Sequence, residues 1–241
     1  MPRQFVLASL LAASLLLILA NPVHAQIVEN GLIGNTDYDG WDGLGSVPGY
    51  GFGTAWATPL TAFEAGSGDA ALDRIAGTHY SASVSLYSFS SNTDFSVIDE
   101  SAISGLETVV FSIQTWLAGD EITGPVALAG LPQLSHDGTG PQNLAADFDF
   151  FSDGGPPVFF AGSLFETVVY TFQWDLTDLG ITEFNIDWNH QVHSGVIALQ
   201  LEQSDTFSLA TATVVPLPAA AWMLMSGLLG LVAIRRRSAT I

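Results

Sequence analysis

Thr167-Val168-Val169-Tyr170-Thr171-Phe172-Gln173-Trp174-Asp175-Leu176 is the stretch that decides the fold class of this chain. Val168, Tyr170, Phe172, Trp174 and Leu176 alternate with Thr167, Val169, Thr171, Gln173 and Asp175. Successive side chains of a strand point to opposite faces, so a period of two predicts a half-buried β-strand. The same period returns upstream in Glu107 to Trp116, where Val109, Phe111 and Ile113 share a face. It returns downstream in Phe184, Ile186 and Trp188, set against Asn185, Asp187 and Asn189, and again in Ile197, Leu199 and Leu201. Ser81 to Phe89, Val126 to Leu131, Ala146 to Phe151 and Val158 to Leu164 are shorter strand candidates.

Gly and Pro clusters separate these runs, as turns between antiparallel strands require. One helix is predicted, Ala70 to Ala76, with Asp69 as its N-cap and Gly77 at its end. Many short alternating strands with almost no helix predict an all-β, antiparallel two-sheet β-sandwich of jelly-roll type over residues 26–213. The three closing strands, about 166–176, 183–190 and 195–203, have short connections and are predicted to form a meander.

The 241 residues hold 24 Asp and Glu against 5 Lys and Arg, and no Cys. Every cation is an arginine, and only Arg74 lies between the two ends of the chain. The interior therefore sets one arginine against 24 carboxylates, a formal charge of −23. Such a surface repels phosphate, which excludes nucleic acid as a partner. The absence of lysine excludes Schiff-base chemistry and the phosphate-loop lysine.

Residues 1–25 read as a secretory signal peptide. Arg3 is the charged start, Phe5 to Ala20 the apolar run, and cleavage is expected between Ala25 and Gln26. At the other end, residues 214–241 form a separate tail. Val214 to Ile234 is almost wholly apolar, and Arg235, Arg236 and Arg237 follow at once. Twenty helical residues span roughly 30 Å, the thickness of a bilayer core, so a transmembrane helix is expected over 219–234. The arginine cluster orients the tail to the cytoplasm and the large domain outward.

Val215-Pro216-Leu217-Pro218-Ala219, an apolar helix containing Gly227 and Gly230, and a terminal arginine cluster together resemble the PEP-CTERM family of C-terminal sorting signals of Gram-negative bacteria, in its Val-Pro-Leu-Pro-Ala variant. The resemblance implies recognition by an exosortase, an integral-membrane Cys protease or transpeptidase. It further implies an inner-membrane tethered precursor with its domain in the periplasm, then delivery to the cell surface or beyond, often beside exopolysaccharide. Leu217 stands where the name-giving motif has Glu. Pro216 and Pro218 hold this stretch extended, the form a protease cleaves most readily.

Candidate sites within the domain are few. Asn35, Asp37, Asp39 and Gly40 reproduce the opening of a calcium loop, with oxygen ligands at alternate positions, but Ser46 stands where an EF-hand has its bidentate Glu. A Gly-rich acidic loop, Asn35 to Gly53, is the remaining Ca²⁺ candidate. Asp187 and Asn189 share the polar face of one strand, a carboxylate and amide pairing suited to carbohydrate. His190 and His193 have metal-like spacing on a helix, yet on a strand they face opposite sides. The parity of His190 makes it a core-edge residue, and His193-Ser194-Gly195 reads as a turn. No Gly-x-Ser-x-Gly elbow and no Cys nucleophile occurs. Asp147 with Asp149, and Asp99 with Glu100, read as surface charges, His136-Asp137-Gly138 as a turn, and Trp41, Trp56 and Trp116 as core before sugar platforms. The expectation is a non-catalytic surface or matrix component, with a calcium-assisted carbohydrate-binding module as the alternative and a glycan hydrolase as a weaker one.

Overall fold

The computed structural model describes residues 27, 29–50, 56–82, 84–117 and 127–210. The signal peptide, Gln26, the sorting motif 215–219, the helix 219–234 and the arginine cluster 235–237 lie outside the described residues. No helix among the described residues is long and apolar enough to cross a membrane.

Within them the chain is all-β and antiparallel. The strands are β1 (Thr36–Trp41), β2 (Leu60–Thr61), β3 (Ala71–Ala76), β4 (His79–Ala82), β5 (Ser85–Ser88), β6 (Thr93–Asp99), β7 (Thr108–Leu117) and β8 (Gln133–His136). They continue as β9 (Asn143–Ala145), β10 (Phe148–Asp153), β11 (Val158–Phe160), β12 (Ser163–Phe165), β13 (Thr167–Asp175), β14 (Phe184–His190) and β15 (Ser194–Ser204). The first sheet runs β10-β13-β7-β15-β5-β4, with β1 also paired to β15; the second runs β2-β3-β6-β14-β8-β9. Between their inner faces lies one core, where Phe111 of the first sheet meets Trp188 of the second at 5.2 Å between ring centroids.

Alternation explains this core directly. Tyr170, Phe172, Trp174 and Leu176 of the opening stretch all enter it, as do Val109, Phe111 and Ile113 opposite them in register. Trp174 has no exposed surface. Burying on the order of 200 Å² of its ring contributes about 5 kcal/mol, provided its N–H is satisfied. That N–H donates to the Leu144 carbonyl at 3.1 Å, and the indole of Trp41 likewise donates to Leu60 at 3.0 Å.

A second apolar cluster lies on the outer face of the first sheet. Trp116 stacks there against Tyr87 at 5.5 Å and Phe165 at 5.1 Å, beneath the two-stranded hairpin β11–β12. Every residue of β15 is buried. The segment before β1 helps to cover it: Asn30 donates from its backbone N and from Nδ2 to the Glu202 carboxylate at 2.9 and 2.7 Å.

Four sequence expectations are corrected. The predicted helix at Ala70 to Ala76 is strand β3, paired with β6 through Leu72↔Val97 and Asp73↔Ser96; sheet pairing outweighs its weak helical propensity. The closing strands form no meander, because β13 and β15 lie in the first sheet on either side of β7 while β14 lies in the second. A short connection serves equally to turn back within a sheet or to cross the core, and residues 191–193 make such a crossing. Ile197 does not share a face with Leu199 and Leu201, since a bulge between Val196 and Ala198 shifts the register and sends Ile197 to the outer cluster. The acidic loop Asn35 to Gly53 is in part strand, for β1 occupies Thr36–Trp41 and pairs with β15.

Candidate functional site

The outer face of the second sheet is hollowed into a groove of about 680 Å³. β14 supplies Asn185, Asp187 and Asn189, β6 supplies Asp94, Ser96 and Ile98, and β8 supplies Gln133. Period two explains the set: Phe184, Ile186, Trp188 and His190 face the core, so the residues between them face outward. Register completes it, because Asp187 lies opposite Ser96 on one side and Gln133 on the other, and Asn189 opposite Asp94. Ile75 and Leu131, 60% and 52% exposed, form apolar walls.

The polar groups of the groove are ordered by one another. Asn189 donates from Nδ2 to Asp94 and accepts at Oδ1 from Asn92 Nδ2 at 2.7 Å. Asn185 Nδ2 donates to Asp187 Oδ2 at 3.0 Å, and Gln133 Nε2 donates to the Pro132 carbonyl at 3.2 Å. Among the described residues, no lysine or arginine lines the groove. Arg74, the one basic side chain among the described residues apart from histidine, donates instead to the Gly77 carbonyl at 2.6 Å.

A smaller hollow of about 350 Å³ adjoins the groove through Ile98 and Asn185, and carries Asp99, Glu100, His136, Asp137 and Glu183. Asp137 behaves as turn chemistry predicts. It accepts from the Thr182 hydroxyl at 2.5 Å and the backbone N–H of Thr182 and Glu183 at 2.9 and 3.1 Å. These bonds, the hydroxyl first, hold its pKa down to about 2. His136 Nε2 lies 2.8 Å from the Pro141 carbonyl, a contact that closes the same turn.

The other sequence candidates scatter. Asn35 turns to Asp205, with its backbone N 2.8 Å and its Nδ2 2.5 Å from that carboxylate. Asp37 and Asp39 share one face of β1 and crowd Gly68: a Cβ there would lie 2.9 Å from Asp37 Oδ2 and 3.1 Å from Asp39 Oδ1. Asp39 is fully buried, accepts from Ala70 N at 3.2 Å, and leaves Oδ2 without a partner. Burial first, and the Asp37 charge next, push its pKa up to about 7. Among the described residues no group of three or more His, Asp or Glu side chains is arranged to hold a metal ion. His190 is buried in the core beside Phe95, whereas His193, at φ 66, places Nδ1 2.8 Å from the Tyr87 hydroxyl. Trp41 and Trp116 are buried, and Trp56 packs against Tyr50 and His79.

Of the sequence-predicted site residues, the groove therefore unites Asp187 and Asn189 and excludes Asn35, Asp37 and Asp39. Asp94, Ser96 and Gln133 were not singled out from the sequence; they join through cross-strand register, for which a single chain's alternation carries no signal. The fold and the groove define an all-β protein with a cleft across one sheet that combines carboxylate and amide groups with apolar walls and, among the described residues, carries no lysine or arginine. No family model matches the chain, and no curated protein matches it.

Proposed function

We propose that this protein is an exported, non-catalytic surface or matrix component that holds an extracellular polysaccharide in the groove of Asp94, Asn185, Asp187 and Asn189, on a sandwich of jelly-roll-like type. The groove carries the reading. Its volume falls in the usual range for ligand sites, its carboxylates and amides match the hydroxyls of a sugar, and the Ile75 and Leu131 walls offer apolar contact to C–H faces. Export and tethering are supported by the signal-like residues 1–25 and by the tail, whose Val215-Pro216-Leu217-Pro218-Ala219 motif, apolar run and Arg235 to Arg237 fit an exosortase substrate held in the inner membrane until processed.

Two experiments test this reading. Retention of the full chain on a panel of insoluble polysaccharides is expected, and Asp187→Ala with Asn185→Ala is expected to weaken it at least 10-fold. Release of new reducing ends from any retained polymer would overturn the non-catalytic assignment. In cells, Pro216→Ala with Pro218→Ala is expected to leave an uncleaved membrane form; normal surface release of that variant would sink the sorting assignment.

A further inference from the structure

We infer that the polymer taken by this groove is a cationic amino sugar, an inference that rests on the groove being a glycan site. The NH₂ groups of Asn185, Asn189 and Gln133 each spend an N–H within the protein, on Asp187, Asp94 and the Pro132 carbonyl, so Asn185 and Asn189 each keep one N–H for a ligand. Asp94 and Asp187 each spend one oxygen on those amides, and among the described residues their second oxygens, Asp94 Oδ2 and Asp187 Oδ1, accept no hydrogen bond. Ionised carboxylates only accept. The groove thus sets two carboxylate oxygens beside neutral amide and hydroxyl groups, and it is the carboxylates that favour a ligand bringing donors.

Charge narrows the class. Asp94 and Asp187 are diagonal neighbours across the β6–β14 ladder, about 7 to 8 Å apart, and among the described residues no lysine or arginine lines the groove between them. A uronate or sulfated polymer would meet unscreened repulsion there. A neutral hexose would satisfy the lone pairs and leave the charge uncompensated. An ammonium brings three donors and a positive charge, and a bond with both partners ionised is roughly twice as strong as a neutral one. The exposed Ile75 and Leu131 on the walls leave room for the apolar faces of pyranose rings.

The test uses the full chain in detergent micelles at 150 mM NaCl, titrated calorimetrically with three tetramers: β-1,4-linked glucosamine, its fully N-acetylated form, and galacturonate. The glucosamine tetramer is expected to bind at least 10-fold more tightly than the N-acetylated one, with galacturonate silent. Asp94→Asn and Asp187→Asn are each expected to remove most of that preference, lowering glucosamine binding by a larger factor than N-acetylated binding. Asp149→Asn with Glu166→Gln, two exposed carboxylates away from the groove, is expected to change neither. Equal binding of the two glucosamine forms overturns the cationic assignment and leaves the glycan site standing. An equal loss of preference in the Asp149 and Glu166 variant traces it to bulk charge and also overturns the assignment. Silence with all three tetramers overturns both readings.

Discussion

Asp39 and His190 are both buried, and burial moves their proton affinities in opposite directions. Loss of hydration penalises the charged form of each. Asp39 rises from an ordinary 3.8 to about 7, with the neighbouring Asp37 charge adding to the effect. Its contribution to stability is complete below about pH 4 and is lost as pH rises through 7, because the folded state holds a proton that the unfolded chain releases. His190 falls from 6.5 to about 3. Its contribution is complete above pH 6.5 and is lost as pH falls toward 3. The two slopes overlap between pH 4 and 6.5 and offset each other, so the wild-type melting profile conceals both. Single substitutions separate them. The midpoint of Asp39→Asn is expected to gain on wild type as pH rises from 4 to 7, and that of His190→Leu to gain as pH falls from 6.5 to 4. Melting curves that stay parallel to wild type across these windows would contradict the assigned protonation states.

Strand β15 and the hairpin β11–β12 make the next scale testable. Gly195 lies opposite Trp116 on one side and Tyr87 on the other, and a Cβ there would approach Trp116 Nε1 to 2.4 Å and Ser85 Oγ to 2.9 Å. Gly195→Ala is therefore expected to cost about 2 to 3 kcal/mol, the range of an overpacked core, as read by urea unfolding. Ala161 and Gly162 turn the hairpin with φ of 50 and 89. A left-handed alanine is strained by roughly 1 to 2 kcal/mol, partly offset by the unfolded-state entropy of glycine, so Ala161→Gly is expected to stabilise by about 0.5 to 1 kcal/mol. The elements themselves were legible in unequal measure. β7, β13 and β14 announce themselves because one face of each meets the core and the other does not. β1 was hidden because Asp39 points inward, against every expectation for a carboxylate. β3 was hidden because Leu72, Asp73, Arg74 and Ile75 are as compatible with a short helix as with a strand, and only the partner β6 decides. For the same reason half of the groove was readable: Asp187 and Asn189 follow from the parity of β14, whereas Asp94 and Gln133 depend on which strands flank it.

At the scale of the molecule, one arginine against 24 carboxylates between the two ends of the chain makes self-repulsion a standing load on the folded domain. Raising NaCl from 10 to 500 mM shortens the screening length from about 30 Å to about 4 Å and is expected to raise the melting midpoint by several degrees. Calcium and magnesium at matched ionic strength are expected to act alike, since no metal-holding group of three acidic or imidazole side chains occurs among the described residues. A shift with calcium alone would point to a specific site. The topology adds a constraint of timing. β15 binds β7, β5 and β1 at once, yet among the described residues it is the last strand to be synthesised. A chain threaded through a membrane from its N-terminus delivers β1, β5 and β7 first, each with an edge that must wait. Under the proposed export, the first sheet closes only once Ser194–Ser204 has emerged on the far side.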